Sequence, residues 1–558
     1  MSNEPSRRLF LRNVTLGSMA VGSGLPLAAC GGDDDAPTPI TPVVSYQHGV
    51  ASGDPLADRV MLWTRVTPAA DGTIAVQWEV ASDEAFTQVV KSGSTETSAE
   101  RDYTVKVDVT GLAAATVYHY RFAVGAQRSP VGRARTLPTG TVERVRLAVF
   151  SCSNYPAGYF NVYAAAARDG AFDAAVHLGD YIYEYGAGGY ASDTAAALGR
   201  LSVPPTEIIQ LSDYRRRYAQ YRTDPDLQAL HAAMPMIAVW DDHEIANDTW
   251  TGGADNHTEG TEGAFAVRRA AAIQAYHEWM PTRLPDPSRP DRIYRSFDFG
   301  NLLSLHMLDT RNIGRDRQID MAAYAAGAAH DPARQLLGAE QNAWLNTRLQ
   351  TSTATWQVLG QQVLMGRMNI PASVAQSPDP ATMTAYITAV QTPPAARTPE
   401  QQALVAQPKV PYNLDAWDGY QANRESVLAA AAANDRNLVV LSGDTHNAWA
   451  SDLTLAADGR KVGVEFATSS VSSPGFEAYL PTVNPAQLSG AFPLLIDDLV
   501  YADTSRRGFM VLEATSAEAR AQWVYVDTIS SRTFTAAVGQ QLRTLPGAGN
   551  RSVVAVPA

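Results

Sequence analysis

The feature that most restricts the fold of this chain is a series of short apolar segments, from residue 145 onward, that alternate with helix-like segments. Continuous apolar strands separated by helices are typical of layered α/β sheets whose strands are buried on both faces. The predicted strands cover residues 145–150, 174–178, 236–240, 302–308, 356–359 and 438–441, and others lie near 464–467, 509–512 and 523–526. The predicted helices cover residues 161–168, 213–221, 264–280 and 340–349.

The region before residue 138 has a different period. Short runs there alternate apolar and polar side chains and are separated by turn residues, as at 60–63, 74–78, 103–109 and 118–122. Regularly spaced short strands of this kind predict a small β-sandwich. We therefore expect an α/β fold in which an N-terminal β-sandwich domain, residues 46–138, precedes a layered sheet sandwich flanked by helices, residues 143–558.

The first thirty residues have the order of an export signal, in which basic residues precede an apolar stretch. Ser6-Arg7-Arg8-Leu9-Phe10-Leu11 resembles a twin-arginine signal, which addresses a folded protein to the twin-arginine export machinery. The apolar stretch at residues 14–29 is interrupted by serine, proline and glycine and is shorter than the roughly 20 residues of a membrane-spanning helix. We therefore expect an exported protein and no transmembrane helix in this stretch.

The end of this signal admits two interpretations. Leu27-Ala28-Ala29-Cys30 resembles a lipobox, in which the cysteine is acylated and becomes the mature N-terminus. The acidic and proline-rich residues 31–45 would then form a flexible tether. The alternative is ordinary cleavage nearby, with Cys30 incidental. The first interpretation predicts a membrane-anchored lipoprotein and the second a periplasmic protein, and both face an oxidising compartment.

Polar side chains follow four of the predicted strands at the point where each strand ends. They are Cys152 and Asn154 after the first strand, Asp180 and Tyr183 after the second, Asp242 and His243 after the third, and Asp444 and His446 after the strand at 438–441. In layered α/β folds the carboxyl ends of the strands form the ligand crevice. We therefore expect these side chains to converge on one rim.

These side chains have the chemistry of metal ligands. Carboxylates, an imidazole, a thiol and a phenol can together hold a hard or borderline cation, and a thiolate or phenolate suits a ferric ion. Cys152 is a lone thiol, available for chemistry or core packing, because the other cysteine, Cys30, lies in the removed or acylated segment. The formal net charge of −13 argues against bulk binding of nucleic acid, so local cations would have to hold an anionic substrate.

Several motifs occur together in the order found in a known family. They are Gly179-Asp180-x-x-Tyr183, Trp240-Asp241-Asp242-His243-Glu244 and Gly443-Asp444-x-His446, accompanied by Ser151-Cys152-Ser153-Asn154, Asp309-Thr310-Arg311 and Trp417-Asp418-Gly419-Tyr420. This set resembles the calcineurin-like metallophosphoesterases, which include the purple acid phosphatases, and is most similar to the alkaline phosphatase D family. The resemblance extends into the N-terminal region through Gly49-Val50-Ala51-Ser52-Gly53-Asp54-Pro55.

The resemblance implies a mixed cluster of Fe3+ and Ca2+, with one or two calcium ions. Asp180 stands at the position of the carboxylate that bridges the metals. Cys152, Tyr183 and His446 stand where the family holds the ferric ion.

The second metal position departs from the purple acid phosphatase pattern. Asp242 replaces an asparagine and Asp444 replaces a histidine, which makes the position richer in oxygen and suits calcium. A further histidine ligand of that pattern is replaced here by Gln361 or Gln362, which makes either glutamine a candidate metal ligand.

The resemblance also implies residues that act on the substrate. His243 stands where relatives stabilise charge or protonate the leaving group, and the alternative is a histidine held behind the ligands by Glu244. Arg311 is a candidate phosphate clamp because a guanidinium can bind two phosphate oxygens, and the alternative is a solvated surface arginine. Asn154 is expected to contact phosphate or a metal.

The implied function is hydrolysis of phosphodiesters and phosphomonoesters by a metal-activated hydroxide that attacks phosphorus directly. Attack by Ser151 or Ser153 is a rival, but neither has an obvious dedicated base. A rival of another class is a surface lipoprotein that binds a partner and whose metal site is only structural. A narrower rival is a phosphodiesterase specialised for phospholipid or a teichoic-acid-like polymer, shaped by the inserts at 313–334 and 371–411.

Overall fold

The computed structural model describes residues 42–557 of the protein. It contains a group of strands before the region in which strands alternate with helices. Between residues 44 and 135 they are β1 (Val44–Ser45), β2 (Val50–Gly53), β3 (Arg59–Arg65), β4 (Thr67–Pro68), β5 (Ile74–Ala81), β6 (Val89–Thr97), β7 (Thr104–Thr110), β8 (Val117–Val124), β9 (Gln127–Arg128) and β10 (Gly132–Arg135). The four strands predicted in this region are confirmed as β3, β5, β7 and β8.

The rest of the described chain alternates strands with helices. Its strands are β11 (Arg144–Phe150), β12 (Ala174–His177), β13 (Met236–Ala238), β14 (Arg295–Phe299), β15 (Leu303–Met307), β16 (Trp356–Gly360), β17 (Asn369–Pro371), β18 (Lys409–Pro411), β19 (Asn437–Ser442), β20 (Ala448–Thr454), β21 (Lys461–Ala467), β22 (Leu499–Asp503), β23 (Gly508–Thr515), β24 (Ala519–Val526), β25 (Ala536–Thr544) and β26 (Val554–Ala555). Its helices are α1 (Asn161–Asp169), α2 (Ala195–Leu198), α3 (Leu211–Tyr221), α4 (Pro225–Ala233), α5 (Phe265–Trp279), α6 (Met321–Ala325), α7 (Gly338–Thr351), α8 (Ala372–Gln376), α9 (Pro380–Gln391), α10 (Pro399–Ala406), α11 (Gln421–Ala433), α12 (Phe476–Tyr479) and α13 (Pro485–Leu495). Every strand and helix predicted from residue 145 onward is present, with ends that differ by a few residues.

Local sequence explains where several helices begin. α4, α9 and α13 each start at a proline, whose fixed backbone angle suits the first helical position. The residue before each proline is Asp224, Asp379 or Asn484, and its side chain accepts bonds from the first free backbone N–H groups of the helix.

The strands that lead to the predicted site belong to two sheets. The first has the order β26-β25-β24-β23-β11-β12-β13-β2-β3-β7, and its central strands β11, β12 and β13 are parallel. Phe150 pairs with His177, and His177 pairs with Ala238, so the three carboxyl ends lie side by side. The second sheet has the order β14-β15-β16-β19-β21-β20-β22, and β15, β16, β19 and β21 are parallel.

The two sheets share an apolar core. Leu147 of β11 belongs to the same buried cluster as Val439 and Leu441 of β19. Leu438 and Val440 of β19 belong to a second cluster that includes residues of α7 and α11. Because successive side chains of a strand point to opposite faces, β19 is buried on both sides, which explains its continuous apolar run. The α/β class is confirmed.

The N-terminal strands are divided among three sheets, the smallest of which is the pair β1 and β4. β2, β3 and β7 extend the first sheet, joined to β13 where Gly53 pairs with Met236. A separate five-stranded sheet has the order β10-β8-β5-β6, with β9 paired to β8. Glycine is required at the junction because a Cβ on Gly53 would lie 2.4 Å from the Pro281 carbonyl oxygen. β2, β3 and β7 are thus continuous with the first sheet, a connection that the sequence does not predict.

The predicted export signal, Cys30 and most of the predicted tether lie outside the described residues. The tether prediction is wrong for its last two residues, because Val44 and Ser45 form β1 and pair with Pro68 and Thr67 of β4. None of the helices described between residues 42 and 557 is long and apolar enough to cross a membrane.

Candidate metal centre

Side chains from four strand ends meet at one edge of the two sheets. Three groups have ligand atoms within 4.8 Å of one another: Cys152, Asp180 and His446; Asp180, Asp242 and His243; and Asp241, Asp242 and Asp444. Because Asp180 and Asp242 each belong to two groups, the three groups form one continuous cluster. The predicted convergence of the four strand ends is confirmed.

Tyr183 joins the cluster through its phenol. Its Oη donates to Asp180 Oδ2 (3.0 Å) and lies 3.2 Å from His446 Nε2. Ser473 Oγ donates to the same phenol oxygen (2.7 Å). Burial and the Asp180 carboxylate raise the pKa of Tyr183 well above its ordinary value, so the phenol ionises only beside a cation.

His446 is oriented by a backbone carbonyl. Its Nδ1 donates to the carbonyl oxygen of Pro474 (2.8 Å), which leaves Nε2 as the unprotonated nitrogen that faces Tyr183. Burial lowers the pKa of His446 to about 3, so the ring is neutral. A neutral imidazole fixed in one tautomer is the form that binds a metal.

Four residues of the cluster have a left-handed backbone. The φ angle is 61° at Cys152, 55° at Asp180, 63° at Asp444 and 64° at His446. Such a conformation costs a non-glycine residue on the order of 1–3 kcal/mol and persists only where the surrounding structure enforces it. Bonds between neighbouring turns do so here, as where the Cys152 N–H donates to the Gly179 carbonyl (3.2 Å).

Glu244 holds two of the ligand turns together. Its carboxylate accepts bonds from the backbone N–H groups of Asp180 (3.1 Å), Tyr181 (2.5 Å) and Asp241 (2.7 Å). Burial raises the pKa of Glu244 to about 7, against the effect of these donors. The turns approach closely because residue 179 is glycine, since a Cβ there would lie 2.3 Å from the Cβ of Asp241.

His243 is held by Glu184, so the alternative in which Glu244 holds it is wrong. His243 Nδ1 lies 2.7 Å from Glu184 Oε2, and the second oxygen of Glu184 accepts a bond from the Asn247 N–H (2.8 Å). Burial alone would lower the pKa of His243, but the carboxylates of Glu184 and Asp180 raise it well above its ordinary value. The Glu184 and Asp180 carboxylates therefore favour the protonated form of the imidazole.

Arg311 lies inside the cluster, so the alternative of a solvated surface arginine is wrong. Its guanidinium is fully buried and donates to Asp241 (2.5 Å), Asp415 (2.7 Å) and Asp444 (2.7 Å). The charge of Arg311 thus balances several carboxylates at once. Its role as a phosphate clamp stays a prediction.

Similarity to known proteins identifies the family in which this cluster occurs. The sequence profile of the PhoD-like phosphatases matches residues 147–523, and the profile of the N-terminal domain of PhoD-like phosphatases matches residues 36–138. The chain belongs to the PhoD-like phosphatase family. The resemblance inferred from the motifs is confirmed, and the protein is a phosphoric ester hydrolase.

Two relatives extend this family assignment over most of the chain. Alkaline phosphatase D of Bacillus subtilis (strain 168) is 38% identical over 447 residues, which cover 77% of this chain and 70% of that protein. A solved structure of PhoD superposes with a TM-score of 0.77 at 32% sequence identity and covers 93% of this chain and 94% of that chain.

Two further predicted residues of this PhoD-like phosphatase have different surroundings. Asn154 Nδ2 donates to the Tyr190 carbonyl (3.3 Å), while its buried Oδ1 has no hydrogen-bond partner within the described chain. Gln361 instead donates through Nε2 to Ser442 Oγ (2.7 Å) and accepts from Trp417 Nε1 (3.1 Å). Asn154 thus offers a free oxygen, whereas the amide of Gln361 supports the turn before Asp444 and its role as a ligand stays a prediction.

The donor set of the PhoD-like phosphatase fits bound cations. Asp180 Oδ1 and Asp241 Oδ2 are buried and have no hydrogen-bond partner among the described residues. Burial raises the pKa of Asp444 to about 7 and, together with the Asp415 carboxylate, that of Asp248 to about 8. Buried carboxylates with too little positive charge nearby are costly, and cations would remove this cost. Carboxylates, phenol, thiol and imidazole are also the appropriate ligand types.

Four acidic residues at the site were not predicted. Glu184 and Asp241 are direct neighbours of predicted ligands within the motifs, so their positions could have suggested them. Asp248 lies six residues after Asp242 and donates its backbone N–H to that carboxylate (2.6 Å). Asp415 lies 104 residues from Arg311, and only the folded chain brings the two together.

Proposed function

We propose that this phosphatase is an exported, metal-dependent hydrolase that cleaves phosphodiesters and phosphomonoesters. The observation that carries the proposal is the convergence of a thiol, a phenol, imidazoles and carboxylates from four strand ends in one cluster. Asp444 and His446 are only partly buried, so the cluster can be reached from solvent. A site open on one side suits catalysis, whereas a structural metal site is closed by its protein ligands.

The ligand types support Fe3+ and Ca2+ as the cofactors, with one or two calcium ions. The positions proposed for the ferric ion are those of Cys152, Tyr183 and His446, and Asp180 would bridge to the calcium position near Asp242 and Asp444. When bound, such cations lower the pKa of water and neutralise charge on phosphoryl oxygens.

The chain's own residues would handle the leaving group and the substrate charge. Glu184 fixes Nδ1 of His243, which leaves Nε2 as the nitrogen that can give a proton to the departing oxygen. Asn154 would direct its free Oδ1 to a metal or its amide to phosphate. Arg311 would keep the carboxylates of Asp241 and Asp444 in place while substrate binds.

The decisive test is elemental analysis of the purified, exported protein together with hydrolysis of a bis-aryl phosphodiester and an aryl phosphomonoester. We expect iron and calcium in the protein, activity that a chelator removes, and recovery on addition of calcium. A tightly held metal with no turnover of either ester would support instead a structural metal site in a partner-binding lipoprotein.

Replacement of Tyr183 by phenylalanine tests the position of the ferric ion. A ferric phenolate absorbs visible light, so the iron-loaded protein should be coloured. Tyr183→Phe should lose the phenolate part of this absorption while it retains iron, because Cys152 and the other remaining ligands stay in place. Unchanged absorption in the variant would place the iron away from Tyr183.

Export, anchoring and domain layout complete the proposal. The twin-arginine pattern and the lipobox-like residues support export with acylation at Cys30. The sequence patterns support an N-terminal domain over residues 46–138 and a catalytic domain over residues 143–558. Cell fractionation tests export and anchoring. It compares cells that express the full chain with cells that express the double variant Arg7→Lys/Arg8→Lys or the variant Cys30→Ala. We expect the first variant to stay inside the cell and the second to leave the membrane fraction.

A further inference from the structure

Three tyrosines form a row beside the metal cluster, and we call Tyr185, Tyr190 and Tyr479 the tyrosine row. The ring centre of Tyr185 lies 5.5 Å from that of His243 and 5.8 Å from that of Tyr190. Tyr190 Oη lies 3.1 Å from His446 Nδ1, and Tyr479 Oη donates to Tyr190 Oη at 3.5 Å. The tyrosine row therefore runs from two histidines of the cluster outward to the surface.

The outer end of the row is a large aromatic side chain in solvent. Tyr479 is 62% exposed, and Tyr185 and Tyr190 are partly exposed. At the inner end the Tyr190 ring stacks on Tyr183, at 6.0 Å between ring centres and 26° between ring planes. The row thus leaves part of Tyr185 and Tyr190 open to solvent next to the reactive groups. Planar π-systems stack on such surfaces.

The short helix α12, which carries Tyr479, is anchored by two neighbouring residues. Glu477, also on α12, forms an ion pair with Arg507. Asn447 Oδ1 accepts a bond from the Phe476 N–H (3.1 Å) at the start of α12. Anchoring of the helix lowers the cost of ordering the backbone when a ligand stacks on Tyr479.

Resting on the proposed hydrolysis of phosphate esters, we propose that the tyrosine row is a substrate subsite that stacks on a planar group of the ester. The chemistry recognised is a flat π-face, which a simple aryl ring or a nucleobase can supply. The phosphoryl group would lie at the metal cluster while the planar group lies along Tyr185, Tyr190 and Tyr479. Esters with such a group would be preferred over alkyl esters.

The test compares inhibitors that share one head group. Phenylphosphonate, ethylphosphonate and thymidine 5′-phosphonate are measured as inhibitors of the metal-loaded enzyme during hydrolysis of a 4-nitrophenyl ester. We expect phenylphosphonate to bind the wild type about tenfold more tightly than ethylphosphonate, within the range of aromatic stacking energies. Tyr479→Ala should remove most of this difference and leave ethylphosphonate binding unchanged. Tyr479→Phe should keep it, because the ring remains.

Trp78→Ala is the control variant, since it removes a partly exposed ring from β5, a strand that carries no residue of the cluster. Trp78→Ala should show the same phenyl-to-ethyl binding ratio as the wild type. Equal binding of the phenyl and ethyl compounds to the wild type, or equal weakening of both by Tyr479→Ala, would overturn the proposal. If thymidine 5′-phosphonate binds as tightly as phenylphosphonate and is weakened equally by Tyr479→Ala, the preferred substrate is a nucleotide ester. If it binds only as tightly as ethylphosphonate, the preferred substrate is a simple aryl ester.

Failure of the proposed hydrolysis is distinguishable from failure of the tyrosine row. If the wild type hydrolyses no ester, calorimetric titration of the metal-loaded protein with the same three phosphonates still measures the phenyl-to-ethyl ratio. A ratio near one overturns the subsite, and a ratio that Tyr479→Ala abolishes supports it.

Discussion

At the scale of single residues, the ligand turns depend on the carboxylate of Glu244. In Glu244→Gln one acceptor oxygen becomes an amide group that cannot accept a backbone N–H, so either Tyr181 or both Asp180 and Asp241 lose their acceptor and the two ligand turns are held together less firmly. We expect roughly 10- to 100-fold weaker metal binding, the cost typical of groups that orient metal ligands. Metal content after dialysis against a graded series of chelator concentrations measures the change.

Asp54→Asn is the matched control for this variant. Asp54 is also a fully buried carboxylate that accepts a backbone N–H, that of Arg283 (2.6 Å), but it bonds to none of the ligand turns. It should lower stability and leave metal binding unchanged. An equal loss of metal from both variants would show that Glu244 acts only through general stability.

Arg311 shares its charge among carboxylates that a cation would also neutralise. Removal of one partner from a buried ion pair costs about 3–5 kcal/mol, because the other partner stays buried without compensation. In Arg311→Gln we expect a loss of this size in the unfolding free energy of the metal-free protein and a smaller loss in the metal-loaded protein. Urea unfolding in both states measures the two losses. Equal losses of unfolding free energy in the metal-free and metal-loaded protein would contradict the idea that Arg311 and the cations neutralise the same carboxylates.

Most of the ligand residues could be predicted because they lie in the turns just after apolar strands, as Asp180 lies three residues after the end of β12. Asp415 could not be predicted, since it follows no buried strand and only folding brings it to Arg311. The partner of His243 was also wrongly assigned, because the neighbour in sequence, Glu244, turns to the backbone while Glu184 reaches the ring.

At the scale of elements, an ion pair ties the end of β2 in the first sheet to β14 in the second sheet. Asp54, at the end of β2, accepts bonds from the Arg295 guanidinium at 2.6 and 2.8 Å. Asp54→Asn leaves this arginine without its counter-charge, so we expect a loss of about 3–5 kcal/mol in unfolding free energy. Denaturant unfolding should show one transition at a lower midpoint. A separate early transition of the N-terminal strands would contradict the tie.

The sequence predicts the strands and helices more completely than it predicts which strands pair with one another. Strands such as β16 and β19 are buried on both faces, and their continuous apolar runs are visible in the sequence. The junction of β2 with β13 rests on a single pair, Gly53 with Met236, between distant parts of the chain. No local pattern encodes such a pair, so the N-terminal strands were expected to stand apart from the main sheet.

At the scale of the whole molecule, buried histidines make stability depend on pH. Burial lowers the pKa of His48, His177 and His277 from 6.5 to about 3, and that of His231 well below 6.5. Below pH 6.5 the unfolded chain binds protons at these positions and the folded chain does not, so stability falls as the pH falls from 6.5 towards 3. Each histidine contributes a slope of up to about 1.4 kcal/mol per pH unit, measured as the urea-unfolding free energy between pH 7.5 and 5.

His277→Gln isolates one share of this slope. His277 Nε2 lies 2.8 Å from the Pro290 carbonyl, a bond that the glutamine amide can replace. In the variant, the plot of unfolding free energy against pH should lose about one histidine's contribution to its slope. Above pH 7.5 the difference in unfolding free energy between variant and wild type measures the change in packing alone. An unchanged slope would show that His277 takes up its proton equally in both states.

The left-handed turns at Cys152, Asp180, Asp444 and His446 set an order of assembly. An unfolded chain seldom adopts this conformation at one non-glycine residue, and hardly ever at four together. The growing chain therefore has no preformed place for an ion, and both sheets must close before the ligands meet. We expect metal to be the last component to arrive, so the compartment in which the chain folds decides which ions it meets first.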